Sequence, residues 1–179
     1  MAFSDKSTER EHLALFLAAR SSATGELLRL HSDLESPDFV CERPDGSLVG
    51  IEHTRIEYDP ERTEILEACR TYSGELDNFA LFWAAAQAVA AKERKRQKPH
   101  WKYKASTILV LDLPEGYRLE EWPGDSSLSS EFAYSGFIEI WISDHSSIGA
   151  YGKVTAIGLY PQSIWGIRGQ GYLWGVPYK

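Results

Sequence analysis

The chain has 179 residues and a formal net charge of −7, and 43% of its residues are hydrophobic. This length and composition predict a single domain over residues 1–179 and exclude a disordered or collagen-like chain. The longest apolar run, residues 79–91, is shorter than the roughly twenty residues of a membrane helix, and the charged N-terminus does not resemble a signal peptide. The two cysteines form no C-x-x-C pair. We therefore expect a soluble cytoplasmic protein with free thiols and no membrane partner.

Positive charge is concentrated in residues 92–104. This segment contains seven of the 19 Lys and Arg residues and a single acidic residue. A concentrated basic strip can bind phosphate groups locally even when the whole chain is acidic. Its side chains Arg94, Lys95, Lys98 and Lys102 are therefore candidate nucleic-acid-binding residues. The alternative is a solvated helix end followed by a basic loop.

The chain begins with a predicted helix at residues 4–20. Thr8 and Glu11 match a capping box, and apolar residues recur on one face of the segment. The Ser-Ser-Ala-Thr-Gly sequence that follows predicts the end of this helix. Residues 25–34 are ambiguous between helix and strand.

A β-hairpin is predicted next. Strands at residues 38–41 and 48–57 flank the sequence Arg43-Pro-Asp-Gly-Ser, in which Asp45-Gly46 favours a tight turn. Two short strands joined in this way are typical of a hairpin.

The remaining elements complete a mixed α/β pattern, with Pro99 ending the longest helix. The predicted order of elements indicates a mixed central β-sheet flanked by helices, in one layered unit. The predicted segments are helices at 60–71 and 75–98, strands at 107–113, 137–143 and 154–160, a polar loop at 121–130 and an irregular tail from 161.

Several common catalytic motifs are absent from the sequence. It contains no G-x-S-x-G, H-E-x-x-H or G-x-G-x-x-G motif, and the residues around Gly152-Lys153 fail the pattern of a phosphate-binding loop. Serine hydrolases and phosphate-loop enzymes are therefore poor candidates.

Two acidic residues of the predicted hairpin suggest a metal site. Side-chain alternation places Glu52 and Thr54 on one face of the second strand and His53 on the other. The first strand can bring the carboxylate of Asp38 beside that of Glu52, and two carboxylates so close repel unless a cation lies between them. Oxygen ligands select Mg²⁺ or Mn²⁺, which can activate water for attack on a phosphodiester. Taken alone, Asp38 is also explained as a turn residue.

The sequence Ser36-Pro37-Asp38-Phe39, followed by Glu52-His53-Thr54, resembles the PD-(D/E)xK nuclease superfamily, whose fold is restriction-endonuclease-like. The resemblance implies that Asp38 and Glu52 bind the metal, with the backbone carbonyl of His53 as a further ligand. A glutamate of the first helix often joins them in this family. Here Glu9 is the better candidate, because capping explains Glu11; the alternative for Glu9 is a surface acid near the helix N-terminus.

The sequence departs from the family where the motif lysine is expected, since Thr54 cannot supply a cation and is also a good strand residue. Some relatives carry a lysine or glutamine on the following helix instead. Gln87, Lys92, Lys95 and Lys98 are candidates for that replacement. Gln87 lies in the apolar stripe of the predicted helix, where burying an unpaired amide is costly. Lys98 shares roughly that face, whereas Lys92 does not.

The resemblance implies Mg²⁺- or Mn²⁺-dependent cleavage of nucleic acid, with a DNA endonuclease as the leading expectation. Two alternatives stay open: a catalytically inactive member that acts as a binding module, and an unrelated α/β domain with a coincidental motif. The oligomeric state is open as well, and a homodimer is one alternative. The remaining histidines, among them His100 and His145, show no ligand spacing and are interpreted as surface or core residues.

Overall fold

The structure is a computed structural model that describes residues 6–56, 78–113 and 125–173. The helices and strands are α1 (Lys6–Thr24), β1 (Arg29–Asp33), β2 (Phe39–Glu42), β3 (Leu48–Arg55), α2 (Asn78–Arg96), β4 (Thr107–Leu113), β5 (Glu139–Asp144), α3 (Ile148–Tyr151), β6 (Lys153–Tyr160) and β7 (Arg168–Tyr172). Two 3₁₀ segments, Ser126–Ser135 and Gln162–Ile164, complete the list.

The strands form one seven-stranded mixed sheet in sequence order, from β1 to β7. β1, β2 and β3 pair as an antiparallel meander, and β3, β4 and β5 are parallel. β6 and β7 return antiparallel at the far edge. This arrangement confirms the prediction of a mixed α/β sheet with helices.

A hydrophobic core lies on each face of the sheet. Leu13 and Phe16 of α1 pack on one face against alternate residues of the central strands. Ala85 and Val89 of α2 pack on the opposite face. The sheet is therefore covered by a helix on both sides, which explains why β4 is apolar almost throughout its length.

The predicted hairpin is confirmed, and the structure settles the ambiguous segment before it. Residues 25–34 contain β1, which adds a third antiparallel strand. The first helix continues beyond its predicted end to Thr24, and Gly25 then adopts a positive φ of 75°. The capping-box prediction is wrong, because Thr8 and Glu11 both lie inside α1.

The C-terminal part is more regular than the sequence predicts. The expected irregular tail contains β7, and part of the expected polar loop is the first 3₁₀ segment. Gly169 and Gly171 of β7 provide the physical reason, because they let the backbone of α1 approach the strand too closely for any side chain. Sequence periodicity does not detect a strand of this kind, since its contact with the helix is made by glycines.

Some predictions lie outside the described residues: the helix at 60–71, the start of the helix at 75–98, and Cys69. Cys41 is a free, buried thiol on β2. Burial raises the pKa of this thiol to about 12, so Cys41 is expected to be unreactive.

Within residues 6–56, 78–113 and 125–173, no helix combines the length and the apolar character that crossing a membrane requires.

Replacing Gly169 by alanine tests the close contact between α1 and β7. A Cβ atom at Gly169 would lie 1.8 Å from the carbonyl oxygen of Ala19, so the helix must shift. Overpacking of this kind costs about 1–3 kcal/mol. We expect Gly169→Ala to lower the free energy of unfolding, measured by urea denaturation, by at least about 1 kcal/mol. Gln170→Ala, at the exposed position between the two glycines, is the control; equal stability of both variants would contradict the packing described.

Candidate functional site

The β2–β3 hairpin brings Asp38 and Glu52 together. Phe39 pairs with Ile51, which places Asp38 opposite Glu52 at the end of the ladder. The backbone N–H of Asp38 donates to Oε2 of Glu52 over 3.1 Å, and the backbone N–H of His53 donates to Oδ2 of Asp38 over 2.8 Å. Each carboxylate is thus fixed by the backbone of the opposing strand. We call these two residues the acid pair.

Both carboxylates of the acid pair are shielded from solvent, Glu52 with only 3% of its surface exposed. Burial raises the pKa of Asp38. Burial and the neighbouring charge of Asp38 together raise the pKa of Glu52. Two raised pKa values mean that holding both groups ionised costs free energy, a cost that a nearby cation reduces.

Lys92 of α2 provides one such positive charge. Its Nζ donates to Oε1 of Glu52. The prediction that Lys92 lies off the inward face of α2 is wrong, because that face was inferred from the position of Gln87. Gln87 is exposed rather than part of the apolar stripe. Lys92 lies two helical turns after buried Ala85 and therefore extends the inward face of α2.

Glu9 lies on the other side of the acid pair. Its carboxylate pairs with Nζ of Lys6 at 3.0 Å. It is close enough to Asp38 for its charge to contribute to the raised pKa of that residue. Glu9, Asp38 and Glu52 do not form a group of ligand atoms all within 4.8 Å of one another among the described residues. Glu9 is thus a neighbour of the acid pair rather than a third member of it.

An open cleft of about 430 Å³ lies beside the acid pair, where β3 ends against α2. Half-buried Thr54 lines it from β3, and Lys92 and exposed Lys95 line it from α2. Gln87 also lines this cleft. The structure thus brings Thr54, Gln87 and Lys95 to one opening next to Glu52.

The basic segment divides into structural and exposed residues. Arg96 bonds to Glu93 and to the backbone oxygens of Ser135 and Lys104, so its charge serves the fold. The backbone N–H of Lys102 donates to the carbonyl of Ser36, two residues before Asp38. Exposed side chains that are candidates for phosphate binding are Arg94, Lys95, Lys98 and Lys102.

The side chain of His53 points away from Glu52, as alternation predicts, and contacts Phe16 on the α1 face. There its Nδ1 lies 3.1 Å from Oδ2 of Asp112, on β4. Nε2 of His145, after β5, lies 3.4 Å from Oδ1 of the same carboxylate. The ring of His12, from α1, lies 4.5 Å from that of His145. We call His12, His53, Asp112 and His145 the histidine cluster.

Asp112 is the electrostatic centre of the histidine cluster. Burial disfavours its charge, but the charge of His53 and the hydrogen bonds from both histidines lower its pKa well below the ordinary range. Burial opposes protonation of His53 too, yet the Asp112 carboxylate raises the pKa of that imidazole. Burial and the nearby His145 lower the pKa of His12. The cluster therefore holds one firmly ionised carboxylate among imidazoles.

The sequence prediction missed most of the histidine cluster. His145 is buried, as the core alternative predicts, but its contact with Asp112 was not foreseen. The missed residues come from separate elements, so no local spacing relates them. One usable signal is Asp112, a charged residue within an otherwise apolar buried strand. Another is His12, one turn before Phe16 on the inward face of α1.

The acid pair offers suitable ligands for a hard divalent cation. The backbone contacts engage one oxygen of each carboxylate. The second oxygen of Asp38 remains as a donor, and the second oxygen of Glu52, which accepts from Lys92, would be shared between the lysine and the ion. Carboxylate oxygens are the ligands that Mg²⁺ and Mn²⁺ prefer. The pKa values of both acids are raised by burial, and a cation bound there would favour their ionised forms.

Comparison of this chain with protein-family models, with curated proteins and with solved structures finds no match.

Removing the lysine of the Lys92–Glu52 pair should destabilise the protein. Lys92→Met leaves Glu52 buried without its partner, and such losses cost about 3–5 kcal/mol. Because the pKa of Glu52 is already raised in the folded state, the penalty is absent while the group is protonated and grows as pH rises. Urea denaturation should therefore show a larger loss at pH 8 than at pH 5.

The double variant Lys92→Met/Glu52→Gln should recover much of that stability, because the buried charge of Glu52 is removed together with its partner. Lys95→Met, one turn along α2 and exposed, is the matched control. A loss that is independent of pH, or one that the Lys95 variant shares, would contradict this role for the pair.

Proposed function

We propose that this protein is a metal-dependent phosphodiesterase that cleaves nucleic acid, with DNA as the main substrate class. The observation that carries the proposal is the acid pair. Asp38 and Glu52 are fixed side by side by reciprocal backbone hydrogen bonds, with a lysine donating to one of them. Two acids and a lysine are the residue types that metal-dependent phosphodiester hydrolysis needs.

The order of elements around the acid pair supports the same proposal. A helix precedes a three-stranded meander, and α2 connects β3 to the parallel strand β4. The acids lie just before the second strand of that meander and on the third. This placement agrees with what the resemblance to PD-(D/E)xK nucleases implies. We therefore propose a restriction-endonuclease-like fold for the chain.

In the proposed reaction, each side chain at the site has a separate task. A divalent ion held by the acid pair would supply Lewis-acid chemistry, polarising the phosphate and lowering the pKa of water. Asp38 and Glu52 would hold the ion in a fixed position, because the backbone of the hairpin fixes both carboxylates. Lys92 would stabilise negative charge that develops on the phosphate oxygens. It thereby replaces the motif lysine that Thr54 cannot provide.

Substrate binding would use the exposed basic side chains around this end of the molecule. Lys95 lines the cleft beside Lys92, and the backbone of Lys102 is tied to the strand connection before Asp38. Positive charge near the acid pair can hold a phosphate backbone beside it. An acidic remainder of the surface would oppose binding elsewhere on the molecule.

Cleavage assays with plasmid, single-stranded DNA, duplex DNA and RNA in Mg²⁺ or Mn²⁺ test this proposal. We expect cleavage by the wild-type chain that depends on the ion. Asp38→Asn, Glu52→Gln and Lys92→Met should each reduce the rate by about 10²-fold or more. Lys95→Ala should chiefly weaken substrate binding and make it less dependent on salt.

Asp45→Asn is the matched control, because it removes an exposed carboxylate from the turn of the same hairpin. It should cleave like wild type. Cleavage that survives in the acid-pair variants would contradict the proposal. An inactive wild-type chain that binds nucleic acid would instead support a binding module with a nuclease-like fold.

A further inference from the structure

We propose that the histidine cluster is a binding site for a transition-metal ion of the Zn²⁺ class, with His12, Asp112 and His145 as its ligands. One potential ligand atom from each of these residues lies within 4.8 Å of the other two. Among the described residues, no other group of three His, Cys, Asp or Glu side chains meets this criterion. The site is separate from the acid pair, and metal binding there does not require the proposed nuclease activity.

The distance between His145 and Asp112 is also compatible with a shared ion. Nε2 of His145 and Oδ1 of Asp112 are 3.4 Å apart, longer than a good hydrogen bond of about 2.7–3.2 Å. Two ligands on a tetrahedral ion, each about 2.1 Å from it, are separated by about 3.4 Å.

Buried polar atoms without protein partners surround the cluster, although the unpartnered ring nitrogens of His145 and His53 are not the ones that face Asp112. His145 is 5% exposed and Ser143 is fully buried. Nδ1 of His145, Nε2 of His53 and Oγ of Ser143 form no hydrogen bond within the described part of the chain. Ser143 pairs with Asp112 across β4 and β5, so its side chain lies beside the cluster. Buried polar groups in native proteins are nearly always bonded to protein, water or an ion.

The fold supplies these ligands from rigid elements. Asp112 and Ser143 lie near the carboxyl ends of the parallel strands β4 and β5, and His145 follows β5 directly. His12 reaches them from α1, which packs across the same face. Ligand sites in open α/β sheets commonly lie at the carboxyl ends of parallel strands. His53 completes the arrangement by holding Asp112 from the side, the role of an outer-shell partner of a metal ligand.

The donor set selects the metal. Two imidazoles and one carboxylate suit Zn²⁺, Fe²⁺ or Ni²⁺, whereas Mg²⁺ prefers oxygen ligands only. Three protein ligands leave a fourth position on a tetrahedral ion, which water or a substrate group can occupy. The two sites are therefore expected to differ in preference, with a hard ion at the acid pair and a borderline ion at the histidine cluster.

Calorimetric titration of chelator-treated protein with Zn²⁺ tests the site. We expect one Zn²⁺ per chain, with binding weakened at least about tenfold in His12→Ala and in His145→Ala. His100→Ala removes an exposed histidine and should bind like wild type. Asp38→Asn should also retain binding, which separates this site from the acid pair. A loss of binding in Asp38→Asn alone would place the ion at the acid pair and overturn the proposal.

Thermal unfolding provides a second readout. It compares the wild type with His12→Ala and does not need the variant of buried His145. His12 is only half-buried on α1, so His12→Ala should fold as wild type does by circular dichroism. Zn²⁺ should raise the Tm of the wild type, because a ligand that binds only the folded state stabilises it. It should leave the Tm of His12→Ala nearly unchanged. An equal rise in both proteins, or none in the wild type, would overturn the proposal.

Discussion

The central constraint in this structure is the reciprocal attachment of two carboxylates to the backbone of one hairpin. The N–H of Asp38 holds Glu52, and the N–H of His53 holds Asp38. Neither acid can turn away from the other without breaking a backbone hydrogen bond in a shielded environment, where an unpaired polar group is costly. The hairpin therefore keeps two like charges together at a cost in free energy. Arrangements that cost free energy in this way are typical of functional sites.

Strand alternation makes β3 the link between the two sites. Glu52 faces α2 and the cationic Lys92, while His53 faces α1 and the carboxylate of Asp112. The same residue, His53, contributes its backbone to the acid pair and its side chain to the histidine cluster. A substitution that shifts β3 should therefore alter both the acid pair and the histidine cluster. We propose that one site serves phosphodiester cleavage and the other binds a borderline metal.

The sequence is most informative where structure and site are local. The hairpin follows from its turn residues and strand pattern, and the opposite directions of Glu52 and His53 follow from alternation alone. The mixed α/β sheet could be expected from the order of helices and strands. The juxtaposition of Asp38 with Glu52 is also a local feature, since the hairpin register that brings them together needs no distant part of the chain.

The features that sequence reasoning missed depend on tertiary packing. β7 is held to α1 through glycines, which carry no hydrophobic signal. Lys92 reaches Glu52 because the inward face of α2 is set by Ala85 and Val89, not by exposed Gln87. The histidine cluster joins α1, the parallel strands β3 and β4, and the loop after β5. No spacing between residues along the chain therefore predicts it. Long-range placement of this kind follows only from how the helices cover the sheet.

The most direct test of the central claim is anomalous diffraction from crystals of the protein grown or soaked with Mn²⁺. The account predicts a manganese peak in contact with carboxylate oxygens of both Asp38 and Glu52, and no such peak in Asp38→Asn crystals. An electron-density map in which these two side chains lie on opposite faces of the sheet, or in which manganese avoids them, would contradict it.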